Sequence, residues 1–426
     1  MTNGSAGGRR RPGRAYGGRV LRVLAAVALV ASAAVVGVVL GGERTFAGAP
    51  PLFAGWFPHV GIGTPLAVLV ALLVAVWGPS LAGRLSWRAA LGAGYATAVA
   101  WIFSLALVDG WDRGFAGRLT TTDEYLHEVP GVTDVGVVLR EFSSRILDFQ
   151  PDSWTTHVSG HPPGALLVFV GLDRIGLSGG GWASALVVLT GALTAVAVPV
   201  TVRALVSEEH ARAVLPFVAL FPGAVWIGVS ADGLFAGVTA CGIALLATRR
   251  ALAGGVVLGF GVFLSYGLVL IGVLALAVLC SDHLGRDWRR IGVAVLGAVG
   301  VVAVFAALGF WWLDGYHLVV ERYYQGIASS RSYGYWVWAN LAAAVLACGF
   351  APFAARWRGP ALTLAAAAAV AILVADVSGL SKAEVERIWL PFTVWLVVLV
   401  PERRRPWLAA QAVTALAVNH LLLTNW

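Results

Sequence analysis

Charged residues are scarce in this sequence. They make up only 12% of its 426 residues, whereas an ordinary soluble domain carries roughly 25%. Hydrophobic residues make up 59% of the chain, and the mean hydropathy is +0.81. This composition excludes an ordinary soluble protein and indicates a chain that resides in a lipid bilayer.

Cysteines are few, and alternating strand patterns are absent. Cys241, Cys280 and Cys348 all lie inside apolar stretches, so neither a disulfide framework nor a zinc cluster is expected. The short alternating segments of a membrane β-barrel are absent. The apolar residues instead form blocks of about 18 to 24 residues, which are long enough to cross roughly 30 Å of hydrocarbon as helices. The sequence therefore predicts an all-α, polytopic transmembrane helical bundle.

We predict about 13 spanning helices from these blocks. The first, 20–42, is too long for the core of a cleavable signal peptide, so we interpret it as a retained helix. Residues 1–19 are predicted to be a disordered, basic cytoplasmic tail, and residues 20–426 a single transmembrane domain. The predicted spans are 20–42, 62–83, 88–108, 182–205, 212–229, 232–249, 251–264, 266–280, 289–312, 335–355, 360–377, 385–400 and 406–424.

The arginines predict the orientation of these spans. With the N-terminus in the cytoplasm, 20 of the 30 basic residues fall in the tail or in short cytoplasmic loops, as the positive-inside rule expects. This orientation requires the apolar stretch 162–177 to lie at the outer membrane surface without spanning. The outer face then carries the long loops 109–181 and 313–334 and a short loop near 378–384. The 20 residues are Arg9, Arg10, Arg11, Arg14, Arg19, Arg22, Arg84, Arg88, Arg203, Arg212, Arg249, Arg250, Arg286, Arg289, Arg290, Arg356, Arg358, Arg403, Arg404 and Arg405.

Acidic residues open the first outer loop. Asp109 and Asp112 follow a spanning helix three residues apart, a spacing that can place two carboxylates on one helical face. Such a pair can act as a general base on a hydroxyl group, or hold a divalent cation such as Mg²⁺ or Mn²⁺. Asp123 and Glu124, further along the loop, are a second candidate pair for substrate binding. For both pairs the alternative is a solvated carboxylate at the membrane surface.

Two histidines follow in the same loop. His157 and His161 have the i, i+4 spacing of many zinc sites. Gly160 and the prolines after His161 oppose a continuous helix, so we favour a loop in which one histidine donates to a phosphate or a sugar hydroxyl. Asp232, at the start of a later span, either binds substrate or only caps its helix.

The late segment 381–392 is the most informative. Lys382, Glu384, Glu386 and Arg387 enter an apolar helix from its outer end, and placing them in lipid would cost several kcal/mol. We therefore predict that they face a polar cavity and pair with one another, and that Lys382 and Arg387 bind a lipid phosphate. Arg331, among the aromatic residues of loop 313–334, is a further candidate for clamping a phosphate. The alternative is a set of salt bridges that only hold the bundle together.

These motifs, taken in order, resemble those of the GT-C superfamily of membrane glycosyltransferases, including its protein mannosyltransferase and aminoarabinose transferase branches. The resemblance covers roughly residues 90–400. Its finer pattern in the segment 384–387 looks most like actinobacterial members that decorate cell-envelope glycans with arabinose, mannose or methylthioxylose. The matching positions are the outer-loop carboxylates Asp109 and Asp112, the run His161-Pro162-Pro163, the turn Ala231-Asp232-Gly233 and the late element Arg387 to Pro391.

The resemblance implies a multi-pass protein of the cell membrane whose active site faces outward. The donor would be a polyprenyl-phosphate sugar, and the acceptor a lipid-anchored glycan or a protein. Asp109 or Asp112 would deprotonate the acceptor hydroxyl, and Arg387, with Lys382 or Arg331, would stabilise the leaving phosphate. No nucleic acid partner is expected. Two other classes stay open: a transporter or flippase of lipid-linked sugars, and a non-catalytic scaffold for envelope synthesis.

Overall fold

The structure, a computed structural model, describes residues 12–281 and 287–424. These residues form 22 α-helices, several short 3-10 turns and one two-stranded antiparallel sheet. The strands are β1 (Ala54–Trp56) and β2 (Leu422–Thr424). The helices are α1 (Pro12–Leu40), α2 (Gly42–Thr45), α3 (Thr64–Arg84), α4 (Trp87–Ala106), α5 (Tyr125–Glu128), α6 (Val135–Glu141), α7 (Thr156–Ser159), α8 (Pro163–Arg174), α9 (Gly180–Ala192), α10 (Thr194–Leu205), α11 (Glu208–Ala219), α12 (Asp232–Ala247), α13 (Ala251–Val262), α14 (Ile271–Leu279), α15 (Trp288–Ala307), α16 (Trp312–Gln325), α17 (Tyr333–Cys348), α18 (Ala351–Ala354), α19 (Pro360–Val377), α20 (Val385–Ile388), α21 (Leu390–Thr393) and α22 (Arg404–Leu421).

Six helical stretches in the described residues are long and apolar enough to cross a membrane, and four shorter apolar helices accompany them. This confirms the prediction of an all-α, polytopic membrane protein. The long stretches are Gly17–Leu40, Thr64–Arg84, Trp87–Asp109, Gly180–Leu205, Trp288–Ala307 and Pro360–Val377. The shorter helices are Asp232–Ala247, Ala251–Val262, Tyr266–Leu279 and Tyr333–Cys348.

Some predicted spans are interrupted, among them 212–229 and 385–400. The segment 212–229 continues beyond α11 only as the 3-10 turn Pro222–Trp226, and the segment 385–400 divides into α20, α21 and the 3-10 turn Leu396–Val398. Pro222 and Pro391 lack the N–H group that a continuing helix needs. Most residues of both segments are buried among other helices, where irregular backbone is tolerated at membrane depth.

The N-terminal segment differs from expectation, whereas the stretch 162–177 agrees with it. Helix α1 begins at Pro12, so residues 12–19, which were predicted to belong to a disordered tail, are helical. Residues 1–11, with Arg9, Arg10 and Arg11, lie outside the described residues, as does Arg286. Helix α8 has 12 residues, roughly 18 Å at 1.5 Å per residue, so it is too short to cross the hydrocarbon core.

The arginine-rich segments meet at one end of the bundle, here called the arginine end. Arg19 lies 3.1 Å from the carboxylate of Glu402, which also pairs with Arg356. Arg212 pairs with Glu208 at 2.7 Å and donates to backbone carbonyl groups at the C-terminal end of α3. The predicted topology requires such a grouping of the short arginine loops.

The opposite end, here called the site end, carries the loops 41–63, 109–181 and 326–332 and the turn before α20. Strand β1 pairs with β2 with Gly55 opposite Leu423, which fastens the first of these loops to the end of α22. Helix α12 lies in the centre of the bundle, with 13 of its 16 residues buried. Its first residue, Asp232, therefore sits inside the site end.

Candidate active site

Arg387 lies at the centre of a buried polar cluster. Its guanidinium donates from NH1 to Asp232 Oδ2 at 2.7 Å, and from NH2 to Glu384 Oε2 at 3.0 Å and His157 Nε2 at 3.1 Å. The Arg387 side chain is only 6% exposed, and a charge so deeply buried is stable only when it is paired. The predicted pairing of Glu384 with Arg387 is confirmed. The name Arg387 cluster is used below for nine residues: Arg387 and its three partners Asp232, Glu384 and His157, together with Glu124, Tyr125, His161, Arg331 and Lys382.

Asp232 contributes its carboxylate to Arg387. It is the first residue of α12, and its Oδ2 accepts a hydrogen bond from NH1 of Arg387. Its interpretation as a helix cap alone is therefore wrong. At this position it neutralises one face of the guanidinium from a helix more than 150 residues away in the chain.

The turn that carries Glu384 has a constrained backbone. Ala383 and Glu384 both adopt the left-handed conformation, with φ of 68° and 64°, which costs energy for residues other than glycine. Asn340, from α17, holds this turn: its Nδ2 donates to the carbonyl oxygen of Ser381 at 2.6 Å, and its Oδ1 accepts from the N–H of Ala383 at 3.2 Å. Asn340 Nδ2 also donates to Asp376 at 2.9 Å. The strained turn is thereby fixed with the Glu384 carboxylate between two arginines.

Arg331 is the second of these arginines. Its NH1 donates to Glu384 Oε1 at 3.0 Å and to the carbonyl oxygen of Lys382 at 2.6 Å. Its Nε and NH2 are buried and have no hydrogen-bond partner among the described residues. The residue as a whole is 4% exposed. Two N–H groups of a charged side chain are therefore buried without an acceptor from the described residues, which is costly unless a ligand supplies one.

Lys382 adds a second cation beside Arg331. Its Nζ donates to the carbonyl oxygen of Ala328 at 2.9 Å and lies 5.3 Å from the ring centroid of Tyr324. Within the described ranges, no carboxylate forms an ion pair with this ammonium group. The N–H of Lys382 donates to the hydroxyl oxygen of Tyr323 at 2.8 Å, and burial raises the pKa of Tyr323 to about 12.

The loop 46–57 covers this side of the cluster. The ring centroid of Phe53 lies 4.8 Å from Arg331 Cζ, and the N–H of Phe53 donates to Glu386 Oε1 at 3.0 Å. Glu386 is 1% exposed, and its Oε2 has no partner in the part of the chain that the structure describes. Glu386 therefore contacts the covering loop and not the cations with which it was predicted to pair.

His157 reaches Arg387 from the loop 109–181. Its Nδ1 lies 3.0 Å from the carbonyl oxygen of Asp123 and 3.3 Å from Glu124 Oε1. Since Nε2 faces a guanidinium, which can only donate, we assign the proton to Nδ1. Burial lowers the pKa of His157 well below its usual value and raises the pKa of Glu124 to about 7. The imidazole is therefore neutral, although its distance from Glu124 would suit an ion pair.

Of the residues near His157, some belong to the Arg387 cluster and others face solvent. His161 Nδ1 lies 2.8 Å from both the hydroxyl of Tyr125 and the carbonyl oxygen of His157, and burial lowers the pKa of this histidine. The Asp123 carboxylate is exposed and accepts from the Thr156 hydroxyl at 3.1 Å. Of the two carboxylates predicted as a pair, only that of Glu124 faces the Arg387 cluster.

The two candidate bases have different surroundings. Asp109 ends a 3-10 turn after α4, and its Oδ1 lies 2.6 Å from His59 Nε2. Asp112 begins a π-helical turn and is exposed. The side chains of His59 and Asp109 are 13% and 12% exposed, so this pair is partly shielded, whereas Asp112 faces solvent.

Arg118 connects Asp109 electrostatically with the Arg387 cluster. Burial lowers the pKa of Arg118 to about 10, and the nearby charge of Arg113 lowers it further, while the carboxylates of Glu124 and Asp109 raise it. Arg387 also acts on this pKa. Asp109, Glu124 and Arg387 therefore each lie close enough to Arg118 to act on its charge.

The arrangement does not form a metal site. Across residues 12–281 and 287–424, no group of three or more His, Cys, Asp or Glu side chains is placed to hold a metal ion. Asp109 is engaged by His59, and both ring nitrogens of His157 are occupied by a carbonyl oxygen and a guanidinium. In this conformation the described residues therefore present no ready-made set of ligands for Mg²⁺, Mn²⁺ or Zn²⁺.

Two open grooves lie on the loops of the site end. The larger, about 530 Å³, is lined by Ser143, Ser144, Leu147, Asp314, His317 and Leu318. The second, about 280 Å³, lies between α8 and the loop 120–130. Neither groove is lined by a residue of the Arg387 cluster, which is closed in this conformation.

Several residues of the site were not predicted from the sequence. Asn340 gave a usable signal, because a polar side chain inside an apolar helix is costly unless it has a partner. His59 and Phe53 lie in a loop between two predicted spans and gave none. Arg118 resembles any other loop arginine until its burial is known.

Comparisons with known proteins give little further information. No protein-family model matches this chain, and no curated protein matches it. Among solved structures, it is similar to the crystal structure of ArnT from Cupriavidus metallidurans in the apo state, with 19% identical residues and a TM-score of 0.41. The similarity covers 65% of this chain and 54% of that one, so the match spans about half the length of ArnT.

Proposed function

We propose that this protein is a membrane glycosyltransferase that transfers a sugar from a polyprenyl-phosphate donor to a hydroxyl group of a cell-envelope glycan or another acceptor. The reaction takes place at the site end of the bundle, on the extracytoplasmic face. The observation that carries this proposal is the pair of buried cations, Arg331 and Lys382: among the described residues, two N–H groups of Arg331 have no acceptor and Lys382 has no carboxylate partner.

The cationic side chains of the Arg387 cluster outnumber its fully ionised carboxylates. The carboxylates of Asp232 and Glu384 pair directly with arginines. Glu124, with a pKa of about 7, is only partly ionised near neutral pH. Lys382 and the free N–H groups of Arg331 therefore suit an anionic ligand, and a guanidinium fork matches the geometry of phosphate oxygens.

This charge distribution suits the departure of a polyprenyl phosphate. The sugar–phosphate donor is a phosphodiester with one negative charge, and the leaving polyprenyl phosphate is a monoester that carries two. Cations placed at the phosphate therefore stabilise the transition state more than the bound donor, which is the condition for catalysis. The same cations are less useful to a scaffold, for which no bound anion is needed.

Asp109 is the base in this proposal. The acceptor O–H bond breaks as its proton moves to Asp109, the acceptor oxygen bonds to the anomeric carbon, and the bond from that carbon to the phosphate oxygen breaks with its electron pair. Asp109 is supported over Asp112 because it is partly shielded and, like Glu124 and Arg387, acts on the buried Arg118. Asp112 is exposed.

The grouping of arginines supports the orientation. The segments that contain Arg19, Arg212 and Arg356 meet at the arginine end, which the positive-inside rule assigns to the cytoplasm. The Arg387 cluster lies at the other end of the same helices. A donor and an acceptor that are both anchored in the outer leaflet would reach it from the membrane.

Sugar transfer from radiolabelled polyprenyl-phosphate donors tests the proposal. We would compare the wild type in vesicles with Arg331→Gln, Asp109→Asn and Asp112→Asn, and use Arg140→Gln, an exposed arginine of the loop 109–181, as the matched control. We expect a loss of about 10²- to 10³-fold for Arg331→Gln and Asp109→Asn. Asp112→Asn and Arg140→Gln should retain most of the activity.

Two results would contradict the proposal. A wild type that transfers no sugar across a broad donor panel, but moves the labelled lipid between leaflets, identifies a flippase. Equal losses for Arg331→Gln and Arg140→Gln would show that general surface charge, and not the buried cluster, binds the donor.

A further inference from the structure

His59 is held between two hydrogen-bond acceptors. Its Nδ1 lies 2.7 Å from the carbonyl oxygen of Phe57, and its Nε2 lies 2.6 Å from Asp109 Oδ1. A carboxylate oxygen accepts, so the ring can donate to Asp109 from Nε2. The contact with Asp109 is then a charge-assisted hydrogen bond, the stronger and more directional kind.

The backbone fixes the place of this ring. The N–H of His59 donates to the carbonyl oxygen of His420 at 2.8 Å, which continues the pairing of β1 with β2. The ring of His420 lies nearly parallel to that of His59, with centroids 6.5 Å apart. His420 is itself held, because its Nε2 lies 2.9 Å from the Thr64 hydroxyl and its Nδ1 2.8 Å from the carbonyl oxygen of Leu416. His59 therefore meets Asp109 from a rigid support and not from a loose loop.

Only one oxygen of Asp109 is used in this contact. Among the described residues, Oδ2 has no hydrogen-bond partner, whereas Oδ1 is bound by His59. Gly110, directly after Asp109, has a positive φ of 83°, so the chain turns away and leaves the carboxylate at the end of α4. A carboxylate of this kind rotates broadly about its terminal torsion unless a partner fixes it.

We propose that His59 is a positioning residue that holds Oδ1 of Asp109, so that Oδ2 is turned toward the acceptor hydroxyl. This inference rests on the proposed function. The acceptor proton passes to Oδ2, the acceptor oxygen attacks the anomeric carbon, and the polyprenyl phosphate leaves with the electron pair of the broken bond. His59 does not touch the substrates, and its contribution is the orientation of the base.

A purely structural role predicts a different behaviour. The same contact joins the loop 54–63 to the end of α4, and a purely structural His59 would only fasten that loop. In that case its loss would lower the unfolding temperature and affect donor binding and turnover alike. A positioning role predicts a fall in kcat with an unchanged donor KM, because the base acts in the transition state.

The test is a kinetic comparison of purified full-length variants in vesicles. We expect His59→Ala to lower kcat by roughly 10- to 100-fold, the range for a displaced catalytic group, with donor KM and unfolding temperature near those of the wild type. His59→Gln, which keeps an N–H donor, should recover part of the loss. In an Asp109→Asn background, His59→Ala should cause little further loss, because residues that act together are non-additive. His317→Gln, an exposed histidine on α16, is the control.

Each outcome separates this inference from the proposed function. An active wild type whose kcat is unchanged in His59→Ala overturns the inference alone. So does a full additional loss from His59→Ala in the Asp109→Asn background, or a loss of kcat that tracks a lower unfolding temperature in both His59 variants. A wild type that transfers no sugar from any polyprenyl-phosphate donor overturns the proposed function and this inference with it.

Discussion

Glu124 is a buried carboxyl group whose ionisation should set part of the pH dependence of stability. Burial raises its pKa to about 7 from 4.5, and the charges of Arg387 and Arg118 limit the rise. Because the folded pKa lies above the unfolded one, the folded protein keeps the proton at pH values where the unfolded chain releases it. The stabilisation is fully present below about pH 4.5 and is lost as the pH rises to about 7. The difference between the two pKa values corresponds to about 3 kcal/mol.

Glu124→Gln isolates this contribution. Glutamine keeps the shape of the protonated acid but does not titrate, so the free energy of unfolding should decline less between about pH 4.5 and 7 in the variant than in the wild type. The measurement is the free energy of unfolding in mixed micelles at several pH values, for the wild type and the variant. Asp123→Asn, at the exposed neighbour, is the control and should follow the wild type. Parallel curves for the wild type and Glu124→Gln would refute the burial argument.

Two further predictions concern the buried pair of Arg387 with Asp232 and the orientation of the bundle. Arg387→Met alone should lower the free energy of unfolding by about 3–5 kcal/mol, because it leaves carboxylates buried without their partner; the loss in Arg387→Met with Asp232→Leu should be smaller than the sum of the single losses, and additive losses would contradict the pairing. Cysteines introduced at Ser144 and Ser207, in a variant without the three native cysteines, should differ in intact cells: a membrane-impermeant maleimide should label position 144 and not position 207, and the reverse pattern would invert the proposed topology.

The helical class of the fold could be predicted because lipid allows few alternatives. Blocks of apolar residues that lack charge have to form helices across a bilayer, and α3, α4 and α19 begin and end within a few residues of the predicted bounds. The broken segments were not predictable in the same way. A run such as 385–400 is as apolar as a spanning helix, and its interruption depends on neighbouring helices that enclose its irregular backbone.

In the candidate site, too, some features could be predicted from the local sequence and others depend on contacts between distant parts of the chain. The cost of burying charge indicated that Glu384 and Arg387 would be paired in a polar place, and the structure pairs them. The choice of Asp232 and His157 as the other partners of Arg387 depends on contacts across 155 and 230 residues, which no local spacing records. Glu386 shows the converse, since its position beside Arg387 in the sequence suggested a partner, but the short helix α20 turns it toward Phe53.

The interruptions in segments 212–229 and 385–400 explain why charged groups can lie inside an apolar bundle. A Cβ atom at Gly223 would lie 2.6 Å from Leu390 Cδ2, so the side chain of Leu390 packs directly on the turn before α12. A continuous helix in either place would turn its side chains around the whole axis and expose some of them to lipid. The first residue of α12 and the end of α20 face each other where these breaks meet, and Asp232 pairs with Arg387 in the protein interior. The broken helices thus supply the buried polar space in which, among the described residues, two N–H groups of Arg331 have no acceptor and Lys382 has no carboxylate partner.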